Sequence, residues 1–169
     1  MKKFLETAKT YILLASIYPE GANKTRTPFD LNYKVFPTYI EIQFNDKSML
    51  IHYDKSTIHF FYSDMERVDL SLCGRRTGFR QSYLITLNIK CKNDLSLNIE
   101  TYDYTEAINL YTLIKSKKIK TSDINNIVAL IKNYKTTTDI YDYINENSQI
   151  IFKKNPKDKK RISYLVSDL

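Results

Sequence analysis

The stretch Cys73-Gly74-Arg75-Arg76-Thr77-Gly78-Phe79-Arg80 gathers two of the chain's three glycines and three of its six arginines around one phenylalanine. A guanidinium is a planar fork that holds a phosphate through two parallel hydrogen bonds, and backbone N–H groups of a glycine turn add further donors. Arg75, Arg76 and Arg80 therefore read as a candidate clamp for a phosphate or an anionic lipid head. Gly74 and Gly78 would free the backbone to approach it, and Phe79 would insert or stack. The same residues also fit a solvated hairpin tip whose arginines keep a sheet edge soluble. The strand-to-helix context and the Gly-Lys-Ser/Thr ending of a nucleotide-binding phosphate loop are both missing.

A second basic cluster lies near the end of the sequence. Lys153, Lys154, Lys157, Lys159, Lys160 and Arg161 face only Asp158 and Asp168 over residues 153–169, a net +4, while residues 1–152 carry 20 basic and 17 acidic side chains. The excess charge of the chain thus sits mainly on a tail, which would attract a polyanion with strong salt dependence or simply serve as a solvating end. No aromatic or glycine interleaves the run, as base stacking would require.

Other chemistry-bearing types do not assemble in the sequence. His52 and His59 are the only histidines; with Asp54 or Asp64 they would make at most a sparse metal site, and no metal or other cofactor is expected. Asp64, Glu66 and Asp69 are close in sequence, but strand alternation divides them between faces and Arg67 is a ready ion-pair partner. Cys73 and Cys91 lack CxxC or CxxH surroundings, so two reduced thiols of a cytoplasmic protein are expected. No His stands near a Ser or Cys nucleophile, and the chain is expected not to be an enzyme.

The elements that would position these residues follow from periodicity. The 169 residues, 43% hydrophobic and 13% aromatic, suffice for one folded domain with an extension. Phe4, Ala8, Tyr11 and Ala15, with Leu5 and Ile12, recur at three- and four-residue steps and predict an amphipathic helix over 3–16 that docks on the body or lies on a membrane surface. The run 18–32 reads as a linker. Strands are expected at 38–44, 48–53, 57–63, 66–72, 82–91 and 95–101, joined by tight turns into an antiparallel meander. Asp103 then caps a helix over 103–117 with Ala107, Leu110, Tyr111 and Ile114 on its apolar face. Tyr102, Tyr104 and Tyr111 cluster at its start, where they suit packing at the helix–sheet junction or a protein-binding surface. Further helices are expected at 121–134 and 136–147, and a short strand at 148–152.

Strands closed by one amphipathic helix, with the patterns MLIHYDKSTIHFFYSDMERVDLSL at 49–72 and SLNIETYDYTEAINLYTLI at 96–114, resemble the bacterial pleckstrin-homology-like (PH-like) domains over about residues 38–118. The resemblance implies an α+β fold: a curved antiparallel sheet, or partly open barrel, capped by a C-terminal helix. Here it would carry an N-terminal helix and linker (1–32), the sheet and its helix (33–118), a helical extension (119–152) and a basic tail (153–169). It further implies a binding module for a protein partner or an anionic headgroup, cytoplasmic or peripheral at a membrane, with a homo-oligomer also open. A nucleic-acid-associated accessory protein using the tail with the arginine stretch is the alternative.

Overall fold

The computed structural model describes residues 9–19, 34–53, 55–77, 80–92, 96–134 and 136–154. The chain is α+β. Strands β1 (Lys9–Pro19), β2 (Lys34–Phe44), β3 (Ser48–Tyr53), β4 (Ser56–Phe61), β5 (Met65–Thr77), β6 (Arg80–Cys91) and β7 (Ser96–Thr101) precede helix α1 (Tyr104–Ser116). Strand β8 (Lys120–Asp123) and helices α2 (Ile127–Asn133) and α3 (Thr137–Lys154) follow. One sheet of eight strands runs in the order β4-β3-β2-β1-β7-β6-β5-β8, antiparallel except where β8 joins β5 in parallel.

That order forces the sheet to roll. β4 and β5 are six strand steps apart, about 29 Å in a flat sheet at about 4.8 Å per step. Yet Phe61 and Met65 are separated by only three residues, a span of at most about 14 Å. The turn between them is tied to both halves of the sheet: Tyr62 N–H donates to Lys47 O at 3.0 Å and Lys92 N–H to Asp64 O at 2.9 Å. The concave side holds the core. Leu13, Ala15 and Ile17 of β1, Ile40 and Ile42 of β2, Val68 and Leu70 of β5, and Ile85, Leu87 and Ile89 of β6 are all buried there.

Helix α1 packs into this core through Tyr104, Ala107, Ile108, Leu110, Tyr111 and Ile114. Each large apolar side chain so buried contributes roughly 1.5–3 kcal/mol. As the sequence predicts, the Asp103 carboxylate caps the helix by accepting from Glu106 N–H at 3.1 Å.

Four sequence expectations are corrected. The helix expected over 3–16 is not formed: residues 9–19 are strand β1, and residues 1–8 lie outside the described set. β1 is hydrogen-bonded to β2 on one side and to β7 on the other, so its nearly unbroken apolar run is that of a central strand, which mimics a helix face. The strands consequently do not form a single meander: β4 and β5, consecutive in sequence, are not hydrogen-bonded neighbours, and the runs β2–β4 and β5–β7 are joined in the sheet through β1. The helix expected over 121–134 is split. Lys120–Asp123 pairs along the free edge of β5, and the helix begins only at Ile127, capped by Asp123. Finally, 148–152 continues α3. Ile140, Ile144 and Ile151 form one helical stripe against the core, and a reciprocal pair of hydrogen bonds between Thr136 and Asp139 starts the helix. Among the described residues, no helix is long and apolar enough to cross a membrane. Of the linker expected at 18–32, residues 20–32 lie outside the described set.

Candidate functional site

The arginine cluster sits at the end of the longest strand pair. β6 pairs with β7 only from Ile85 to Lys90, and β5 pairs with β8 only from Arg67 to Leu70. Beyond Leu72↔Ile85, the pairs Cys73↔Leu84, Gly74↔Tyr83, Arg75↔Ser82, Arg76↔Gln81 and Thr77↔Arg80 continue alone. Residues 73–77 and 80–84 are therefore a two-stranded ribbon that runs past the sheet. The stretch 73–80 read as a hairpin loop is thus mostly strand. The backbones of Gly74, Arg75, Arg76 and Arg80 belong to the ribbon, while Gly78, Phe79 and the side chains of Arg75, Arg76 and Arg80 lie outside the described residues.

An isolated two-stranded ribbon is marginal in water, and this one is braced by helices. The Tyr104 hydroxyl of α1 donates to Tyr83 O at 2.6 Å. The Tyr83 ring packs against Tyr141 of α3 at 5.6 Å, and its hydroxyl reaches Asn145 Oδ1 at 3.4 Å. Burial pushes the Tyr104 phenol up to about 12, with Tyr102, Tyr141 and Tyr83 adding to it. Burial raises the Tyr83 phenol as well, reinforced by Tyr141 and opposed by a hydrogen bond with Ser148. Both hydroxyls thus stay protonated, as donors must. Tyr104 and Tyr111 are buried at the helix–sheet junction, whereas Tyr102 is 41% exposed.

The convex face of the same half-sheet carries a polar grid that sequence reading missed. The register aligns Ser16, Glu100, Thr86 and Ser71 in one cross-strand row and Asn98, Asn88 and Asp69 in the next. Six of these seven are buried, Asp69 being half-buried. Asn88 Nδ2 donates to Asn98 Oδ1 at 2.7 Å, and Arg67 bridges Asp69 at 2.9 Å. Thr86 and Asn88, set between the inward Ile85, Leu87 and Ile89, were the available signal.

The remaining candidates do not converge. His52 Nδ1 lies 2.9 Å from Thr57 Oγ1, while the His59 ring stacks at 4.2 Å on Phe61. No group of three or more metal-ligating side chains occurs among the described residues. Cys73 and Cys91 are buried and form no disulfide; Cys91 stands in the first pair of the β5–β6 ladder and Cys73 at the base of the ribbon, and burial, then Asp64, raises the Cys91 thiol. Lys153 and Lys154 close α3; Lys157, Lys159, Lys160 and Arg161 lie outside the described residues. One cleft of about 480 Å³ between the end of α1 and the start of β1 is lined by Lys9, Phe44, Asp46, Leu113 and Lys117, among others. There Lys117 Nζ stands 5.5 Å over the ring of Tyr62. Burial, then Asp46, pushes the Tyr62 phenol up to about 12.

Compared with protein-family models, curated proteins and solved structures, the chain matches none of them. The reading of function therefore rests on the geometry alone.

Proposed function

We propose that the chain is a non-enzymatic binding module of the PH-like type, which recognises an anionic headgroup, or a protein surface presenting one, through the β5–β6 ribbon. The observation that carries this reading is the ribbon itself: its backbone brings Arg75, Arg76 and Arg80 into the last three residue pairs before one tip. Its base is fixed to α1 and α3 through Tyr83. A rigid support reduces the ordering cost of binding, and arginine forks suit phosphate. The rolled sheet, with the helix after its last antiparallel strand packed into the concave side, supports the PH-like reading.

The test is sedimentation with phosphatidylglycerol and phosphatidylcholine vesicles at physiological salt. It compares the intact chain with an Arg75→Ser/Arg76→Ser/Arg80→Ser variant and a variant with Lys157, Lys159, Lys160 and Arg161 changed to Ser. Selective pelleting on phosphatidylglycerol that is lost only in the ribbon variant supports the reading. Loss only in the tail variant moves the anion site to the tail, as the nucleic-acid alternative expects.

A further inference from the structure

The two edges of the described sheet differ in how well they are guarded against pairing. At one edge β8 is four residues long and carries Lys120 and Asp123, the latter engaged in capping α2. At the other, β4 reads Ser56-Thr57-Ile58-His59-Phe60-Phe61, with no proline, no Lys, Arg, Asp or Glu, and an unbroken register against β3. No described strand pairs with its outer side. Thr57, His59 and Phe61 are exposed, the Phe61 ring by 47% while it stacks on His59 at 4.2 Å. A strand of β-branched and aromatic residues left open in this way is a template for a further strand.

The turns around β4 fix where its main-chain groups point. Asn45 N–H donates to Ser48 O at 2.9 Å, and Tyr62 N–H to Lys47 O at 3.0 Å. Bonding alternates along an antiparallel ladder. Ser48, Leu50 and His52 therefore direct their main chain at β2, while Met49, Ile51 and Tyr53 direct theirs at Phe60, Ile58 and Ser56 of β4. The N–H and C=O groups of Thr57 and His59, with the N–H of Phe61, are left pointing to the open edge. The Phe61 carbonyl accepts from Asp64 N–H at 3.0 Å and keeps a second lone pair. Main-chain groups spaced in this way are met by another extended chain.

This edge is complementary to itself. Antiparallel pairing about a two-fold axis at His59 sets His59 opposite His59 of a second copy and each Thr57 opposite Phe61 of the other, so all three outward residues find partners. An aromatic ring then meets a β-branched side chain twice, a favourable cross-strand pair. The ends match in charge as well. Exposed Lys55 precedes the strand and exposed Asp64 follows it, so antiparallel copies bring each cation towards the other copy's carboxylate, whereas parallel copies would align like charges. We propose that two copies of this chain pair through β4 in this register, joining their sheets edge to edge. The inference does not rest on the anion site, because no residue of the β5–β6 ribbon takes part.

Sedimentation velocity on the intact chain tests it, alongside His59→Glu and His59→Lys variants, which should keep the parent's thermal midpoint because His59 is exposed. One short strand makes an interface at the small end of the specific range, so the parent should pass from monomer to dimer between about 10 μM and about 1 mM. Each variant alone puts like charges on the axis and should weaken the dimer about tenfold, while an equimolar mixture of the two should restore it as a heterodimer. Amides 57 and 59 should exchange more slowly as the dimer forms, and change more than amide 58, which β3 already holds. A parent that stays monomeric over this range, or a dimer that neither variant weakens, would overturn the proposal. A mixture that does not recover would overturn the two-fold register, and protection of amides 57 and 59 in the monomer would overturn the open edge.

Discussion

The Tyr104 hydroxyl, in the first turn of α1, donates a 2.6 Å hydrogen bond to the main-chain carbonyl of Tyr83 on the β5–β6 ribbon. Both residues are almost fully buried. One bond thus joins the helix that packs into the rolled sheet to the arm that carries the arginine cluster.

Removing it tests the brace. Tyr104→Phe keeps the ring but leaves the Tyr83 carbonyl without this buried donor, a loss of about 1–3 kcal/mol. Urea unfolding should show a lower midpoint with an unchanged slope. Amides 81–84 should also exchange faster than those at 85–90, where β7 continues to pair.

The same phenol predicts alkaline lability. In the unfolded chain tyrosine titrates near 10, whereas burial holds Tyr104 at about 12 in the fold. Between these values the unfolded state has lost the proton and the folded state keeps it, so stability falls as pH rises through that window. The contribution is fully present below pH 10, and its loss is on the order of 2 kcal/mol by pH 12. Unfolding midpoints from pH 9 to 12 should fall more gently in Tyr104→Phe than in the parent chain. Equal slopes would show that the phenol is not held protonated.

The first strand makes a discriminating prediction. Leu13 is 1% and Ile12 61% exposed, the reverse of the docked helix face that included Ile12. Leu13→Asp should unfold the protein or cost more than about 4 kcal/mol, while Ile12→Asp should cost under about 1 kcal/mol. Thermal melts of the two variants decide between strand and helix.

Asp123 holds the first two amides of α2. Asp123→Ala should cost about 1–2 kcal/mol and speed exchange across 127–133, leaving α1 unaffected.

Much of this architecture was readable from residue order. Alternation located β3 and β6 closely, because each has one face on the core, and Asp103 with Ala107, Leu110 and Ile114 marked α1. Long-range pairing was not readable. Leu13, Leu14, Ala15 and Ile17 form a strand because β2 and β7 lie on either side, and Lys120–Asp123 is extended because β5 has a free edge. Both decisions are made by partners far away in sequence. At the arginine site, local composition identified Arg75, Arg76 and Arg80, but not that their backbone lies in a ribbon. Its brace joins Tyr83 to Tyr104 and Tyr141, residues that no local spacing links. The polar row of Glu100, Thr86 and Ser71 likewise appears only when three strands are put in register.

The most direct test of the central claim is the affinity for vesicles containing phosphatidylglycerol, measured for the intact chain and the Arg75→Ser/Arg76→Ser/Arg80→Ser variant with matched hydrogen-exchange protection in β6. At about 1 kcal/mol for each basic side chain at an anionic surface, the three substitutions should weaken binding about a hundredfold. Affinities within twofold of each other would contradict the account and leave the arginine ribbon a structural hairpin.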